Sequence, residues 1–474
     1  MMTRLFGTDG VRGKANDVLT PELAYALGRY GASVLLKDSC VFRPRVLIGR
    51  DTRISGEMLE SALIAGITSV GADVLRLGVI PTPGVAHLTR TWQADAGIMI
   101  SASHNPAQDN GIKFFSGDGY KLADEVEDKI EKLIHGATGN GVILFKERPL
   151  RKPGIDGARR AVGKDVGRLL SFEDPLAAYG KFLMGTVDCS LKDLKVVVDC
   201  GNGAAYRTTP VVLEKLGADV ISLHDKPDGL NINVDCGSTH PESLIKAVLH
   251  HKADMGIAHD GDADRLIAVD EKGNLLDGDH ILTICGMNLL RQGRLANNTL
   301  AATVYSNMGV QAAFKKAGAD VIITPNGDRY VLEAMRERDL NFGGEQSGHI
   351  IFLDYNTTGD GVLTALQLLA VVQKESKPLS ELAKQLEKYP QVLINVPVKD
   401  RQGWQTCKSV QDAIDWAKTS FGDAGRIYVR ASGTEPLVRV MAEGQDRQKV
   451  YEAAQEVAER IQRGFGKQEM EAKP

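Results

Sequence analysis

The sequence has no apolar run approaching the roughly 20 residues needed to span a bilayer, so no membrane partner is expected. Its six cysteines (Cys40, Cys189, Cys200, Cys236, Cys285 and Cys407) contain no C-x-x-C pair and no zinc spacing. That pattern fits a reduced, cytoplasmic protein better than a disulfide scaffold. The opening residues, Met1-Met2-Thr3-Arg4-Leu5-Phe6-Gly7, lack the apolar stretch of a signal peptide, and the same localisation is expected from them. Charge of one sign is also missing: 57 Lys and Arg stand against 61 Asp and Glu, a net charge of −4. A chain so nearly neutral lacks the electrostatic footprint of a nucleic-acid or anionic-membrane binder, while a local basic pocket for a small anion stays open. Proline is scarce at 17 residues, and no collagen-like period occurs.

Glycine, by contrast, is abundant: 50 of 474 residues, against an average near about 7%. With so little proline, this excess points to many special backbone loops rather than to disorder. Hydrophobic residues make up 43% and charged residues 25%, an ordinary globular composition. At roughly 150 residues per domain, the length alone predicts about three domains.

The tetrapeptide Gly-Ala-Asp-Val occurs at 71–74, 217–220 and 318–321. Helical patterns precede the copies at 57–70, 210–216 and 310–317, and before each lies an apolar run: Val46-Leu47-Ile48, Val196-Val197-Val198 and 300–304. Strand, helix, strand with continuous hydrophobicity predicts a βαβ unit in a buried, mostly parallel sheet. Further along, Ala94-Asp95-Ala96-Gly97-Ile98 matches Ala253-Asp254-Met255-Gly256-Ile257. Each enters a strand that ends in a polar loop, and 342–349 is the comparable place in the third copy. Three copies with matching flanks predict an internal repeat, with polar loops beyond the strands' carboxyl ends, where ligands collect in open α/β sheets. The remainder reads as a strand at 392–398, a helix at 410–419, strands at 426–430 and 437–442, and a helix at 447–463. This is a smaller α+β domain. The expected boundaries are 1–155, 170–272, 273–385 and 386–474, with 152–174 as a linker.

Each loop offers a chemistry. Ser103, in Ser101-Ala102-Ser103-His104-Asn105-Pro106, stands just past a buried strand, and Pro106 disfavours helix at Asn105. It can carry a phosphoryl or acyl group, although an isolated Ser-His pair reads more simply as a turn serine. Asp260, Asp262 and Asp264 alternate along what reads as one extended segment, so their carboxylates should converge on a hard cation. An EF-hand is set aside because Arg265 occupies the position that needs glycine. Mg²⁺ is expected over Ca²⁺ because few protein oxygens are offered. Arg430-Ala431-Ser432-Gly433-Thr434-Glu435-Pro436 with Arg439 can cradle a phosphate, or can be a β-turn with surface arginines. Glu345 and Ser347 can hydrogen-bond sugar hydroxyls, and His349 reads as a proton shuttle or a core histidine. Gly7-Thr8-Asp9-Gly10-Val11-Arg12-Gly13 frames a cation, and a hairpin would return Lys113 toward Ser103.

In this order the serine, metal, sugar and phosphate loops resemble those of the α-D-phosphohexomutases, over essentially the whole chain. Phe6-Gly7-Thr8-Asp9-Gly10-Val11-Arg12-Gly13, Glu345-Gln346-Ser347-Gly348-His349 and Gly327-Asp328-Arg329-Tyr330 resemble the branch that acts on glucosamine phosphates. Relatives acting on mannose and glucose phosphates usually have methionine where Gln346 stands. Ala263 replaces a glycine common elsewhere, and Ala431 stands where some relatives place lysine. The resemblance implies three mixed or parallel α/β domains and a C-terminal α+β domain around a central cleft. It implies a phosphoserine at Ser103, with Mg²⁺ held by Asp260, Asp262, Asp264 and a phosphoserine oxygen. Arg265 would stabilise charge, and Lys113, His349 and Arg12 are the candidate acids and bases. Glu345 and Ser347 would hold the sugar, and Arg430, Ser432, Gly433, Thr434 and Arg439 the distant phosphate. The implied reaction interconverts glucosamine 6-phosphate and glucosamine 1-phosphate through a sugar bisphosphate, for cell-wall precursors. A homodimer is also implied. A glucose or mannose phosphate mutase and a non-catalytic phosphosugar-binding regulator are the alternatives, the latter opposed by the intact serine, aspartates and Lys113.

Overall fold

Runs such as Val46-Leu47-Ile48 and Val196-Val197-Val198 are apolar at consecutive positions, so a strand built from them must be covered on both faces. The structure, a computed structural model, describes residues 4–7, 9–37, 43–138, 160–171, 174–400, 403–432 and 436–466. It places all six of those residues at 1% exposure or less, in the middle of two sheets.

The first sheet contains β1 (Val11–Lys14), β2 (Arg45–Arg50), β3 (Asp73–Val79), β4 (Ala96–Ile100), β5 (Asp109–Ser116) and β6 (Leu169–Leu170), in the order β1-β5-β4-β2-β3-β6. The second contains β7 (Lys195–Asp199), β8 (Asp219–Leu223), β9 (Met255–His259), β10 (Leu266–Asp270) and β11 (Leu275–Leu276), in the order β11-β10-β9-β7-β8. The third contains β12 (Thr299–Thr303), β13 (Asp320–Thr324), β14 (Phe342–Gly344) and β15 (Ile350–Phe352), in the order β13-β12-β14-β15.

These orders are one topology written three times. β2, β7 and β12 lie between a second strand (β3, β8, β13) and a third (β4, β9, β14), and an antiparallel fourth (β5, β10, β15) pairs with the third. Each Gly-Ala-Asp-Val copy leads from a helix into the second strand. The helices are Gly56–Thr68, Thr209–Lys215 and Met308–Lys316, close to the expected spans. Gly71, Gly217 and Gly318 have φ of 97°, 101° and 77°, the left-handed region where a side chain is strained. The sheets are mixed rather than wholly parallel, because the fourth strand returns by a hairpin.

The 152–174 segment differs from a free linker in the part that is described. β6 adds a parallel strand beside β3, and Arg168 reaches Asp73 with an Nη2–Oδ2 distance of 2.7 Å. Asp73 is a carboxylate only 2% exposed, and its need for a cation draws this stretch onto the first sheet.

The chain forms two compact units, Met1–Tyr305 with Val321–Gln385 and Ser306–Asp320 with Leu386–Pro474. The second unit contains β16 (Gln391–Pro397), β17 (Gly425–Ala431) and β18 (Leu437–Gly444), antiparallel in the order β16-β18-β17. Val438, Val440 and Ala442 alternate along β18 into a core shared with Val450, Ala453, Ala454, Val457 and Ile461, the apolar face of helix Arg447–Phe465. The helix Met308–Lys316, expected within the third repeat, groups with this second unit. Buried Glu443 accepts the Met308 N–H at 2.8 Å and pairs with Arg426 at 2.6 Å. Among the described residues no helix is long and apolar enough to cross a membrane. The described cysteines, Cys189, Cys200, Cys236, Cys285 and Cys407, form no disulfide, and Cys40 lies outside the described residues.

Candidate active site

Chain direction puts the loops after β4, β9 and β14 at equivalent places in the three repeats, and all three carry chemistry. After β4 the backbone turns at Ser103, whose φ of +54° is strained for a residue with a side chain. Two neighbours hold the turn. Ser101 Oγ accepts the Ser103 N–H at 2.9 Å and donates to Asp51 Oδ2 at 2.6 Å. Arg53, fully buried, donates to the carbonyls of Ser103 (2.9 Å), Asn105 (2.8 Å), Asp109 (3.0 Å) and Pro106, and to Asp51 Oδ2 at 2.9 Å. One guanidinium thus gathers carbonyls that the tight turn would otherwise leave unpaired. Asn233, from the second repeat, adds an Nδ2 bond to Ser103 O at 2.9 Å. The hydroxyl of Ser103 donates to Asp260 Oδ2 at 2.5 Å.

The loop between β9 and β10 is not the extended segment expected from its alternating aspartates. It curls, with Ala263 at φ +57°, and the carboxylates converge because of that curl. One oxygen from each of Asp260, Asp262 and Asp264 lies within 4.8 Å of the others, and all three residues are buried. Asp262 Oδ1 and Asp264 Oδ1 are buried without a hydrogen-bond partner among the described residues. Burial, then the charges of Asp264 and Asp262, push the Asp260 carboxyl well above the usual range. Crowded carboxylates with oxygens to spare are what a hard cation compensates, so the residues fit a divalent metal. Gly261 lets this loop lie on the serine turn, since a Cβ there would sit 2.5 Å from Ser103 O.

Lys113 comes from β5, in register with Met99 of β4, so the expected hairpin does return it. Its Nζ lies 2.8 Å from Asp262 Oδ2 and 2.8 Å from Asp9 Oδ2. Burial opposes its charge, but Asp262 and Asp9 outweigh it and raise the pKa. Arg12, on β1 opposite Gly111, also pairs with Asp9. Lys121 then links Asp9 Oδ1 to Asp328 Oδ2, at 2.6 Å each. His349 stands 3.5 Å from Asp328 with Nε2 and 3.5 Å from Asp264 with Nδ1. Because its Nε2 accepts the Gly359 N–H at 3.0 Å, the neutral ring carries its proton on Nδ1, facing Asp264. Asp264, His349, Asp328, Lys121, Asp9 and Lys113 therefore close a ring of alternating partners through all three repeats.

Glu345 accepts the Gly327 N–H at 3.1 Å and the Ser347 hydroxyl at 3.1 Å. Arg265 lies 3.7 Å from Asp264 Oδ1. Its guanidinium is held charged against burial by Asp264, Asp260 and Glu345. In the second unit, Arg430 of β17 and Arg439 of β18 are direct cross-strand partners, so both side chains leave one face of the sheet. Ser432 is buried beyond β17, and its N–H donates to Leu437 O at 2.9 Å. Gly433 and Thr434 lie outside the described residues.

Sequence reasoning passed over Asp51, Arg53, Lys121 and Asn233, and quoted Asp9 and Asp328 without giving them roles. Arg50-Asp51-Thr52-Arg53 is a charged exit from an apolar strand, the same signal that marked the other loops. Lys121 gave no signal, since its partners lie 112 and 207 residues away.

Family models match along the chain in four blocks. They describe phosphoglucomutase/phosphomannomutase alpha/beta/alpha domain I at residues 3–140, domain II at 177–273, domain III at 277–389 and the C-terminal domain at 393–460. The chain belongs to the phosphoglucomutase/phosphomannomutase family, with three α/β/α domains and a C-terminal domain. It is 53% identical over 462 residues to the phosphoglucosamine mutase of Heliobacterium modesticaldum, covering 98% of this chain and 100% of that protein. To the phosphoglucosamine mutase of Desulforamulus reducens it is 52% identical over 458 residues, covering 97% and 99%. Within the family it falls among these phosphoglucosamine mutases, which are isomerases. Its fold is also that of Aspergillus fumigatus N-acetylphosphoglucosamine mutase, solved with GlcNAc-6P and magnesium, at TM-score 0.69 and 20% identity over 96% of this chain and 95% of that one.

Proposed function

We propose that the enzyme interconverts glucosamine 6-phosphate and glucosamine 1-phosphate, in the cytoplasm, with Ser103 as its phosphorylated residue. The observation that carries this reading is the placement of Ser103 Oγ at 2.5 Å from Asp260, within a buried triad that keeps two carboxylate oxygens unbonded. Asp260, Asp262 and Asp264 would hold Mg²⁺, which supplies positive charge beside the transferring phosphoryl oxygens. The magnesium bound by the Aspergillus fumigatus relative supports that choice of ion.

In the forward half-reaction the P–O bond to Ser103 breaks, and one forms to the free sugar oxygen. The sugar hydroxyl gives up its proton, and Ser103 Oγ regains one. The product is a sugar bisphosphate, and after it turns round, Ser103 takes back the other phosphoryl group. Lys113, held protonated by Asp262 and Asp9, would supply a proton during transfer, which its 2.8 Å contact with the aspartate triad supports. Arg12 and Arg265 offset developing negative charge. His349, with both ring nitrogens engaged, acts on Asp264 as a positioning residue rather than on the sugar. Glu345 and Ser347 offer hydroxyl-binding atoms, and Arg430, Ser432 and Arg439, with Gly433 and Thr434, grip the distant phosphate. Two arginines opposed on one sheet face suit an anion that can arrive in either orientation.

Intact mass and turnover of Ser103→Ala test the phosphoserine. The expected variant lacks the added phosphate and is inactive; full turnover would overturn the mechanism. Comparing kcat/KM for glucosamine, glucose and mannose 6-phosphates tests the substrate, and a preference for either neutral sugar would overturn that assignment.

A further inference from the structure

The second sheet carries a mixed donor set that this reaction does not use. Asp199 closes β7, His224 directly follows β8, and Cys236 precedes the helix Glu242–His251. Each offers one ligand atom, and the three atoms lie within 4.8 Å of one another. Asp199 and Cys236 are fully buried, while the His224 side chain is 30% exposed and leaves a way in. Asp199 Oδ1 meets His224 Nδ1 at 3.0 Å and the Gly201 N–H at 2.9 Å, and its Oδ2 accepts the Gly237 N–H at 3.0 Å.

The internal repeat supplies a comparison. By strand register Asp199 corresponds to Gly49, but the matching loop of the first repeat has a carboxylate two positions on, Asp51, and among the described residues it orders that loop with Arg53 and Ser101. A loop-ordering carboxylate therefore needs neither sulfur nor imidazole beside it. A thiol, an imidazole and a carboxylate together form a borderline-soft set, unsuited to Mg²⁺ and suited to Zn²⁺-class ions. The same loop reaches the reaction centre, because Asn233 donates to Ser103 O at 2.9 Å and to Asn105 O at 3.2 Å.

We infer that Asp199, His224 and Cys236 bind a thiophilic divalent cation at a site separate from the aspartate triad, and that the bound ion slows turnover by pulling on the 231–237 loop. Coordination replaces the Cys236 S–H bond with a metal–thiolate bond, and the proton leaves to solvent past His224. The imidazole exchanges its hydrogen bond to Asp199 for the metal, through Nδ1, and a fourth position stays open to water.

Cobalt is the probe. The full chain, with magnesium in excess, is titrated with Co²⁺ while the near-ultraviolet thiolate-to-cobalt absorption is followed. The wild type should develop the band, and Cys236→Ser should lack it. His224→Gln, altered at a part-exposed position, keeps the test readable if Cys236→Ser fails to fold. Its Co²⁺ affinity should fall at least about tenfold, because even losing an outer partner of a metal ligand costs about 10–100-fold. No band in the wild type, a band surviving Cys236→Ser, or unchanged affinity in His224→Gln would overturn the site. Zn²⁺ at saturating Mg²⁺ should slow the wild type and spare His224→Gln; equal inhibition of both would overturn the link to turnover. Only that last arm rests on the mutase reading, so the two can fail separately.

Discussion

Removing the charge of Lys121 tests whether the ring of alternating partners holds the three repeats together. Lys121→Met keeps the stem and deletes the ammonium, leaving Asp9 and Asp328 facing each other across its place. Breaking a fully buried ion pair by removing one partner costs about 3–5 kcal/mol. Two features lower that figure here. Lys121, Asp9 and Asp328 keep 16%, 17% and 19% of their side-chain surface in contact with solvent, so water screens part of the loss. Asp9 also keeps Lys113 and Arg12, whereas among the described residues Asp328 keeps only His349 as an ion-pair partner, at 3.5 Å. The orphaned charge is therefore mainly that of Asp328, and a loss of about 2–4 kcal/mol is expected. Urea unfolding of the full chain, followed through its first transition, reads the loss directly. Asp328→Asn supplies the control, because neutralising the orphan should recover part of the cost. In the double-mutant cycle Lys121→Met with Asp328→Asn should fall short of additivity by about 1–3 kcal/mol. Losses that add to within about 0.5 kcal/mol, or a single-variant loss below about 1 kcal/mol, would refute the ring as a structural device.

Arg53→Met leaves Asp51 buried without its cation and frees the carbonyls of the serine turn. It should cost about 3–5 kcal/mol and lower phosphate occupancy at Ser103, read by intact mass; full occupancy with unchanged stability would contradict the clamp. Magnesium at about a hundred times its dissociation constant should stabilise the wild type by about 2.7 kcal/mol. A chain with all three aspartates changed to Asn should gain nothing, as thermal unfolding will show. His87, stacked on Phe182 with ring centroids 3.7 Å apart, is held at a pKa of about 4 by burial and then by Arg90. The unfolded chain takes up this proton first, so the stability is complete above about pH 6.5 and is lost as pH falls toward 4. Between pH 8 and 5.5 the loss is about 1–2 kcal/mol, and His87→Phe should flatten that part of a urea-midpoint profile.

What could be read in the sequence is what local physics writes there. Continuous apolar runs announce doubly covered strands, a glycine in Gly-Ala-Asp-Val announces the left-handed exit from a helix, and a polar loop past a strand's carboxyl end announces chemistry. Those signals located Ser103, the three aspartates and Glu345, and they placed Lys113 by a hairpin. The three carboxylates do converge, but not through alternation, because Ala263 at φ +57° bends a segment whose residue types read as extended. The 160–171 stretch lacked an apolar period because two residues suffice for β6, and an ion pair to Asp73 does the rest.

The remaining gap has one physical cause. Asp9, Lys121 and Asp328 have surroundings assembled by tertiary folding, and nothing within a few residues of Lys121 distinguishes it from a solvated surface lysine. The repeat narrows that gap. Because the three sheets share one topology, a residue of unknown role can be judged against its counterpart in another copy. Asp51 and Asp199 lie within two register positions of each other where the first strand of a repeat gives way to its loop, one satisfied by an arginine and a serine, the other accompanied by a histidine and a cysteine. Ser103, Asp260 and Glu345 follow the same strand and have diverged into the groups proposed for phosphoryl transfer, metal binding and sugar binding. A repeat that holds backbone topology constant while its third-strand loops change is a natural way to bring three different chemistries to one centre. On that argument the informative positions are those where the copies differ, and the Asp199 cluster is one such difference that the proposed reaction leaves unexplained.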